Sequence, residues 1–204
     1  MSNDYVTIDV LKSTLTLGGT TFADTDLTAV ITAASRAVDN LCERRFYLDA
    51  DATSVRYYTP TQRDILAIDD LIALGSVKTD RIGDGTFPDT WTVNVDFVLE
   101  PYNATADPAD PRPYTDVRVH PNGSFIFPTG YPRSVKVTGQ FGWSSVPDAV
   151  QAAAALLATR LLTIRRSAPL GIVAFDGVAV RIARADSTIM GLLGSYMRHS
   201  VAVA

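Results

Sequence analysis

The apolar positions of this chain change period twice. From Leu27 onward they fall at Leu27, Val30, Ile31, Ala34, Val38, Leu41 and Cys42, with Arg36, Asp39, Asn40 and Glu43 off that stripe. Steps of three and four put such residues on one face of a helix. The helix is predicted to start at an Asp24 or Thr25 cap and to end at Arg44-Arg45, where cations suit the negative end of the helix dipole. A shorter helix is predicted before it, from Ile8 to Leu17, capped by Thr7 and stopped by Gly18-Gly19.

From Ser54 to Phe141 the period becomes two. Val55, Tyr57 and Thr59 alternate with Arg56 and Tyr58, and Ile65, Leu66 and Ile68 follow a polar turn. Thr92, Val93, Val95, Phe97 and Leu99 read as one strand, Val117 and Val119 as another, and Phe125 and Phe127 as a third. Val135, Val137 and Phe141 close the series. Gly83-Asp84-Gly85, Pro121-Asn122-Gly123 and Thr129-Gly130 supply turn residues between them. The pattern predicts a small antiparallel β-domain of roughly five to seven strands. Within it, residues 101–114 carry four prolines and no period, and are expected to form an extended surface connection, or an arm reaching a neighbouring subunit.

Helical spacing then returns. Ser144-Ser145-Val146-Pro147-Asp148 reads as a helix start, with a serine cap and proline in the first turn. Val150, Ala153, Ala154, Leu157, Leu161 and Ile164 form the stripe of this helix, which ends at Arg165-Arg166 before Pro169 and Gly171. A linker from Ala168 to Arg184 holds a possible short strand, Val178 to Ile182, before Asp186 caps a last helix through Ile189, Met190, Leu193, Tyr196 and Met197. The fold class is therefore α+β. A small α-helical bundle forms from the N- and C-terminal helices, with an inserted antiparallel β-domain. The divisions fall at residues 1–53 for the N-terminal part of the bundle, 54–143 for the β-domain, and 144–204 for the C-terminal helices and a docking tail.

Composition narrows the chemistry. The chain has 204 residues, 47% hydrophobic and 20% charged, and a formal net charge of −4, which suits a folded globular protein and not a DNA-binding polycation. Cys42 is its one cysteine, so no intrachain disulfide and no cysteine-based zinc site is expected. No apolar run reaches the length of a membrane span and no secretory leader is read at the start; synthesis in a cytoplasm is expected. Charge is uneven: residues 147–204 hold six arginines against Asp148, Asp176 and Asp186, so the remainder carries the acidic excess. This polarity fits solvated faces and helix ends, or a basic end meeting an acidic partner.

No catalytic constellation stands out. His120, before Pro121-Asn122, reads as a turn residue, and His199 lies in the C-terminal stretch. There is no Gly-x-Ser-x-Gly elbow, Walker loop or Gly-x-Gly-x-x-Gly fingerprint. Asp80-Arg81-Ile82-Gly83-Asp84-Gly85 lacks the oxygen spacing of a calcium loop and reads as a turn. Asp69 and Asp70 are adjacent on a strand, so they point to opposite faces and make a poor acid–base pair. Cys42 sits on an apolar stripe and is assigned to packing. Neither a cofactor nor a metal is expected, nor enzyme activity. A hydrolytic or carbohydrate-binding module with Tyr57, Tyr58, Trp91 and Tyr102 as stacking aromatics is the alternative of a different class.

Three segments together resemble the head-tail connector, or adaptor, proteins of long-tailed double-stranded DNA bacteriophages. The first runs from Ile31 to Tyr47 and ends in Cys42-Glu43-Arg44-Arg45-Phe46-Tyr47. The second is Val135-Lys136-Val137-Thr138-Gly139-Gln140-Phe141-Gly142-Trp143, followed by Val146-Pro147 and the alanine-rich helix. The third is Arg165-Arg166-Ser167-Ala168-Pro169-Leu170-Gly171, followed by a helix opening on Asp186. The resemblance implies a virion structural protein of the neck. It would form a ring, typically of twelve subunits, beneath the portal protein, with double-stranded DNA passing through the lumen. A downstream stopper or tail-completion protein would attach to its other end; a stopper or tail-completion role for this chain is the runner-up. Portal or subunit contacts are then expected at Arg165, Arg166, Ile189, Met190, Leu193, Tyr196, Met197, Arg198 and His199. On this reading the terminal stretch is spare for gripping another molecule, and truncation from Gly194 onward leaves the monomer folded. Phe141, Trp143 and Pro147 are expected to fix the strand-to-helix junction.

Overall fold

A computed structural model of the chain describes residues 3–16, 22–104, 111–167 and 175–198. The predicted stop at Gly18-Gly19, the centre of the 101–114 connection, the Pro169-Gly171 stop, His199 and the Val201–Ala204 tail lie outside the described residues. The fold is α+β. Residues 1–46 with 146–204 form one compact unit and residues 47–145 another.

The first unit is helical, with α1 Ile8–Thr16, α2 Asp24–Cys42, α3 Asp148–Ser167, α4 Phe175–Ala185, α5 Ser187–Leu193 and a 3₁₀ turn, Gly194–Tyr196. α2 packs on α3 and α4, and α3 packs on α5. Small buried residues make the approach close: Ala33, Ala34, Ser35 and Ala37 on α2, Ala153, Ala154 and Ala158 on α3, and Ala179 and Ala183 on α4. Leu27, Val30, Ile31 and Val38 of the α2 stripe are buried beside them.

The ends of α2 and the start of α3 differ from those expected. α2 begins on the Ala23 carbonyl, which accepts from the Asp26 and Leu27 N–H groups at 3.0 and 3.1 Å. Asp24 is instead a first-turn acid, placed where the helix dipole favours negative charge. α2 stops at Cys42, short of Arg44-Arg45, because Glu43 turns left-handed at φ 53° and its N–H caps the Asp39 carbonyl. α3 starts on the Pro147 carbonyl, three residues beyond Ser144. The strand expected from Val178 to Ile182 is part of α4. Val178, Val180 and Ile182 alternate like a strand, but Ala179 and Ala183, four apart, are the wholly buried pair.

The second unit is a six-stranded sheet of β1 Ser54–Tyr58, β2 Ile65–Thr79, β3 Asp89–Trp91, β4 Phe97–Glu100, β5 Tyr114–Val119 and β6 Val135–Phe141. Neighbours run in the order β1-β6-β2-β5-β4, with β3 beside β2, and every pairing is antiparallel. β2 is the spine: Ile65–Leu71 pairs β5, while the stretch to Thr79 pairs β6 and β3. Its core gathers Leu66, Ile68, Val77, Trp91, Phe97, Val117, Phe127, Val137 and Phe141.

Two expected strands are rearranged. Thr92 to Leu99 is broken by a turn in which Asn94 adopts φ 62° and the Asp96 carboxylate accepts the Thr92 N–H at 2.8 Å. Phe125 and Phe127 lie in irregular chain. Phe127 is buried with its ring stacked 4.8 Å from Trp91, and its N–H donates to the Arg63 carbonyl. Their alternation reflects burial without a hydrogen-bonded ladder. Trp143 is buried and its indole N–H donates to Asp70 at 2.8 Å, while Phe141 is buried at the end of β6. Gly142, between them, has φ 106°, and a Cβ there would stand 2.0 Å from the Tyr47 carbonyl oxygen.

Candidate functional site

The C-terminal segment carries most of the residues expected at partner contacts. Asp186, 6% exposed, builds its entry. The carboxylate accepts the Thr188 and Ile189 N–H groups at 2.9 and 3.2 Å, satisfying donors that a helix start leaves orphaned. The same carboxylate pairs with Arg160 of α3, which fixes α5 against that helix.

From there the segment turns inward. Ile189 and Leu193 are fully buried and Tyr196 is 8% exposed. The Tyr196 ring meets Phe46 edge-on, with centroids 6.0 Å apart at 78°, and Phe46 meets Tyr5 in the same way at 5.8 Å. The Tyr5 hydroxyl accepts the Phe46 N–H at 2.9 Å and donates to Asp39. Burial holds the Asp39 carboxyl above its usual range, and burial with the bond to Asp39 raises the Tyr5 phenol. The Arg198 N–H closes the arrangement by donating to the Cys42 carbonyl at 3.0 Å. Start, α2 end and C-terminal segment thus form one aromatic cluster within the helical unit.

The expectation of a spare terminal stretch does not extend to Ile189, Leu193 and Tyr196, which are buried; residues 199–204 lie outside the described residues. Ile189, Leu193 and Tyr196 are core residues of the helical unit, and burying Ile189 and Leu193 is worth about 1.5–3 kcal/mol each. Truncation from Gly194 removes Tyr196 and the Arg198 bond, so the monomer should not survive it unaffected. Met190, Met197 and Arg198 are only partly buried and remain accessible. Arg165 is half-exposed and pairs with Asp26 of α2 at 2.6 Å. The side chain of Arg166 and all of His199 lie outside the described residues.

The remaining candidates are not brought together. His120 sits at the end of β5, where its Nδ1 accepts the Asn122 N–H at 3.2 Å. Asp69 faces Tyr58 and Arg56, whereas Asp70 faces Trp143, so the two carboxylates diverge as expected. Asp80 accepts the Ile82, Gly83 and Gly85 N–H groups at 3.1, 2.7 and 2.8 Å and organises the turn. Burial works against ionising it, but these bonds prevail and hold its carboxyl below the usual range. Cys42 is fully buried, which pushes its thiol up to about 12, against a nucleophilic role. Of the aromatics weighed for sugar stacking, Trp91 is in the core and donates to Thr79, while Tyr57 and Tyr102 are exposed on different parts of the unit. Among the described residues no cluster of His, Cys, Asp or Glu could hold a metal, and no helix is long and apolar enough to cross a membrane.

No protein-family model and no curated protein matches the chain. Among solved structures, a chain from the neck of a native gene transfer agent particle, computed with C12 symmetry, matches 97% of this chain and 91% of its own length. Identity is 14% and the TM-score 0.52, so the two share a fold. A chain from the neck of an empty particle, computed with C6 symmetry, matches at 18% identity and a TM-score of 0.48, covering 95% of this chain and 90% of that one.

Proposed function

We propose that this chain is a structural protein of the neck of a phage-like particle, where copies assemble into a ring at the head-to-tail junction. The observation that carries this reading is the fold shared along nearly the whole chain with a chain from a gene transfer agent neck computed with C12 symmetry. The resemblance of the Cys42–Tyr47, Val135–Trp143 and Arg165–Gly171 segments to head-tail adaptors points independently to the same role. The adaptor reading seats the ring beneath the portal protein, lets double-stranded DNA pass through its lumen, and presents its other end to a stopper or tail-completion protein. The net charge of −4 suits a channel that must release DNA, because tight binding comes from neutralising phosphates. Accessible portal contacts on this reading are Arg165, Met190, Met197 and Arg198, joined by Arg166 and His199.

Cross-linking mass spectrometry of particles made by the parent genome tests the assignment. Links from this chain to the portal support the adaptor. Links to the tail terminator and none to the portal would move it to the stopper position. Absence of the chain from purified particles would remove the neck reading altogether.

A further inference from the structure

Two doublets of like charge stand in register on the β unit. Lys78 and Lys136 are Cα partners across β2 and β6, and Glu100 and Asp116 are Cα partners across β4 and β5. Partners in an antiparallel pair point to the same face, and like charges so placed destabilise the pairing. Both doublets face away from the core, since Val77, Val117, Val135 and Val137 beside them are fully buried. Among the described residues none of the four side chains enters an ion pair. Lys136 lies 5.9 Å from the Phe87 ring, Glu100 accepts the Tyr102 N–H at 2.9 Å, and Asp116 accepts the Thr115 hydroxyl at 2.8 Å. Arg118, in register with Val98 and exposed, pairs with neither acid.

Each doublet also has exposed aromatic surface beside it. Tyr57, 50% exposed, is in register with Lys136 and its ring is 5.6 Å from that of Phe87. Tyr102, 69% exposed, follows Glu100 by two residues. Exposed aromatics are enriched at protein interfaces, and charges belong at the polar rim around them. The basic doublet lies next to edge strand β1, and the acidic doublet lies at edge strand β4, at the other limit of the sheet.

We propose that the Lys78–Lys136 face of one copy docks on the Glu100–Asp116 face of the next, with Tyr57, Phe87 and Tyr102 packed around the charges. Opposite charge from a second copy relieves both internal repulsions at once. Such a contact is heterologous: every copy keeps one unused face of each kind, so association propagates until it closes. Closure into a ring rests on the neck reading above; the contact itself does not.

The test is charge reversal, read by mass photometry of the purified chain at low ionic strength over a concentration series. The parent chain forms oligomers. Lys78→Glu with Lys136→Glu in one variant, and Glu100→Lys with Asp116→Lys in another, each leave monomers. An equimolar mixture of the two restores oligomers, with even subunit numbers, because every reversed face now finds a reversed partner. Lys136→Glu alone weakens association at least tenfold yet melts no lower than the parent, since it turns a repulsive pair into an attractive one. That result separates loss of contact from loss of fold. A parent that stays monomeric throughout, double variants that assemble like the parent, or a mixture that stays monomeric would each overturn the proposal. Assembly that obeys these rules in a chain absent from particle necks would keep the contact and remove the neck reading. A chain present in necks whose assembly ignores the reversals would remove the contact alone.

Discussion

Replacing Tyr196 by alanine tests whether the C-terminal segment belongs to the core of its own subunit. The side chain is 8% exposed and meets Phe46 edge-on at 6.0 Å. Removing a buried aromatic ring costs about 3–5 kcal/mol through lost burial and the cavity left behind. Tyr196 sits in a short 3₁₀ turn beside exposed Gly194 and Ser195, where the site can partly collapse, so the low end, about 3 kcal/mol, is expected. With a urea slope of about 2 kcal/mol per molar, the unfolding midpoint should fall by about 1.5 M. The helical signal near 222 nm reads this transition. Trp91 and Trp143, the two tryptophans of the chain, both lie in the β unit, so their emission reports that unit separately. Tyr196→Phe keeps the ring and should recover most of the loss. A helical midpoint that moves by less than about 0.5 M in Tyr196→Ala would refute the reasoning and return the segment to the role of a free tail.

Three further outcomes follow from the same geometry. Gly142→Ala should destabilise the β unit by about 2 kcal/mol or more, seen as an earlier tryptophan emission change in urea, because φ is positive and the added Cβ meets the Tyr47 carbonyl. The Cys42 thiol, pushed up to about 12, stays protonated at pH 8 in the folded chain, so iodoacetamide should label it only as fast as the helical unit opens. Labelling of the native chain at the rate of a small thiol would contradict that burial. Asp80 has a depressed folded pKa, so its contribution is complete above the ordinary carboxylate value of about 3.9 and fades as pH falls through the folded value. Asp80→Asn should therefore lower the melting temperature at pH 7, with the gap to the parent closing at strongly acid pH; a gap independent of pH would show that the carboxylate charge is not what holds the turn.

Much of this architecture is written in local pattern. The α2 stripe from Leu27 to Cys42 is a single-face signal over a whole helix, and nothing in the tertiary structure competes with it. The alternation in β6 is equally direct, because Val135, Val137 and Phe141 are buried on one face. In β1 the alternation survives with its phase reversed, since Val55 and Tyr57 are exposed and Arg56 and Tyr58 lie on the more covered side. Structure and pattern differ where burial and hydrogen bonding part company. Phe125 and Phe127 alternate because both stack on Trp91, while the Phe127 N–H donates to the Arg63 carbonyl outside the sheet ladder. Val178, Val180 and Ile182 carry strand-forming side chains, but the buried face of α4 is set by alanines, whose signal is faint. The burial of Ile189, Leu193 and Tyr196 has a related cause: an apolar stretch announces burial, and remote residues decide what covers it. Here α3 packs on α5, and Phe46, itself backed by Tyr5, meets Tyr196. The Lys78–Lys136 and Glu100–Asp116 doublets were invisible for the same reason, since register between distant strands sets them.

The central claim is a place in the neck, and a symmetry-averaged cryo-electron microscopy map of the neck of particles from the parent genome tests it most directly. The account expects one layer of density, repeated about the tail axis, into which the helical unit and the β unit each fit as separate bodies, with Tyr196 against Phe46. A fully tailed, DNA-filled particle whose neck layers are all accounted for by other chains would contradict it.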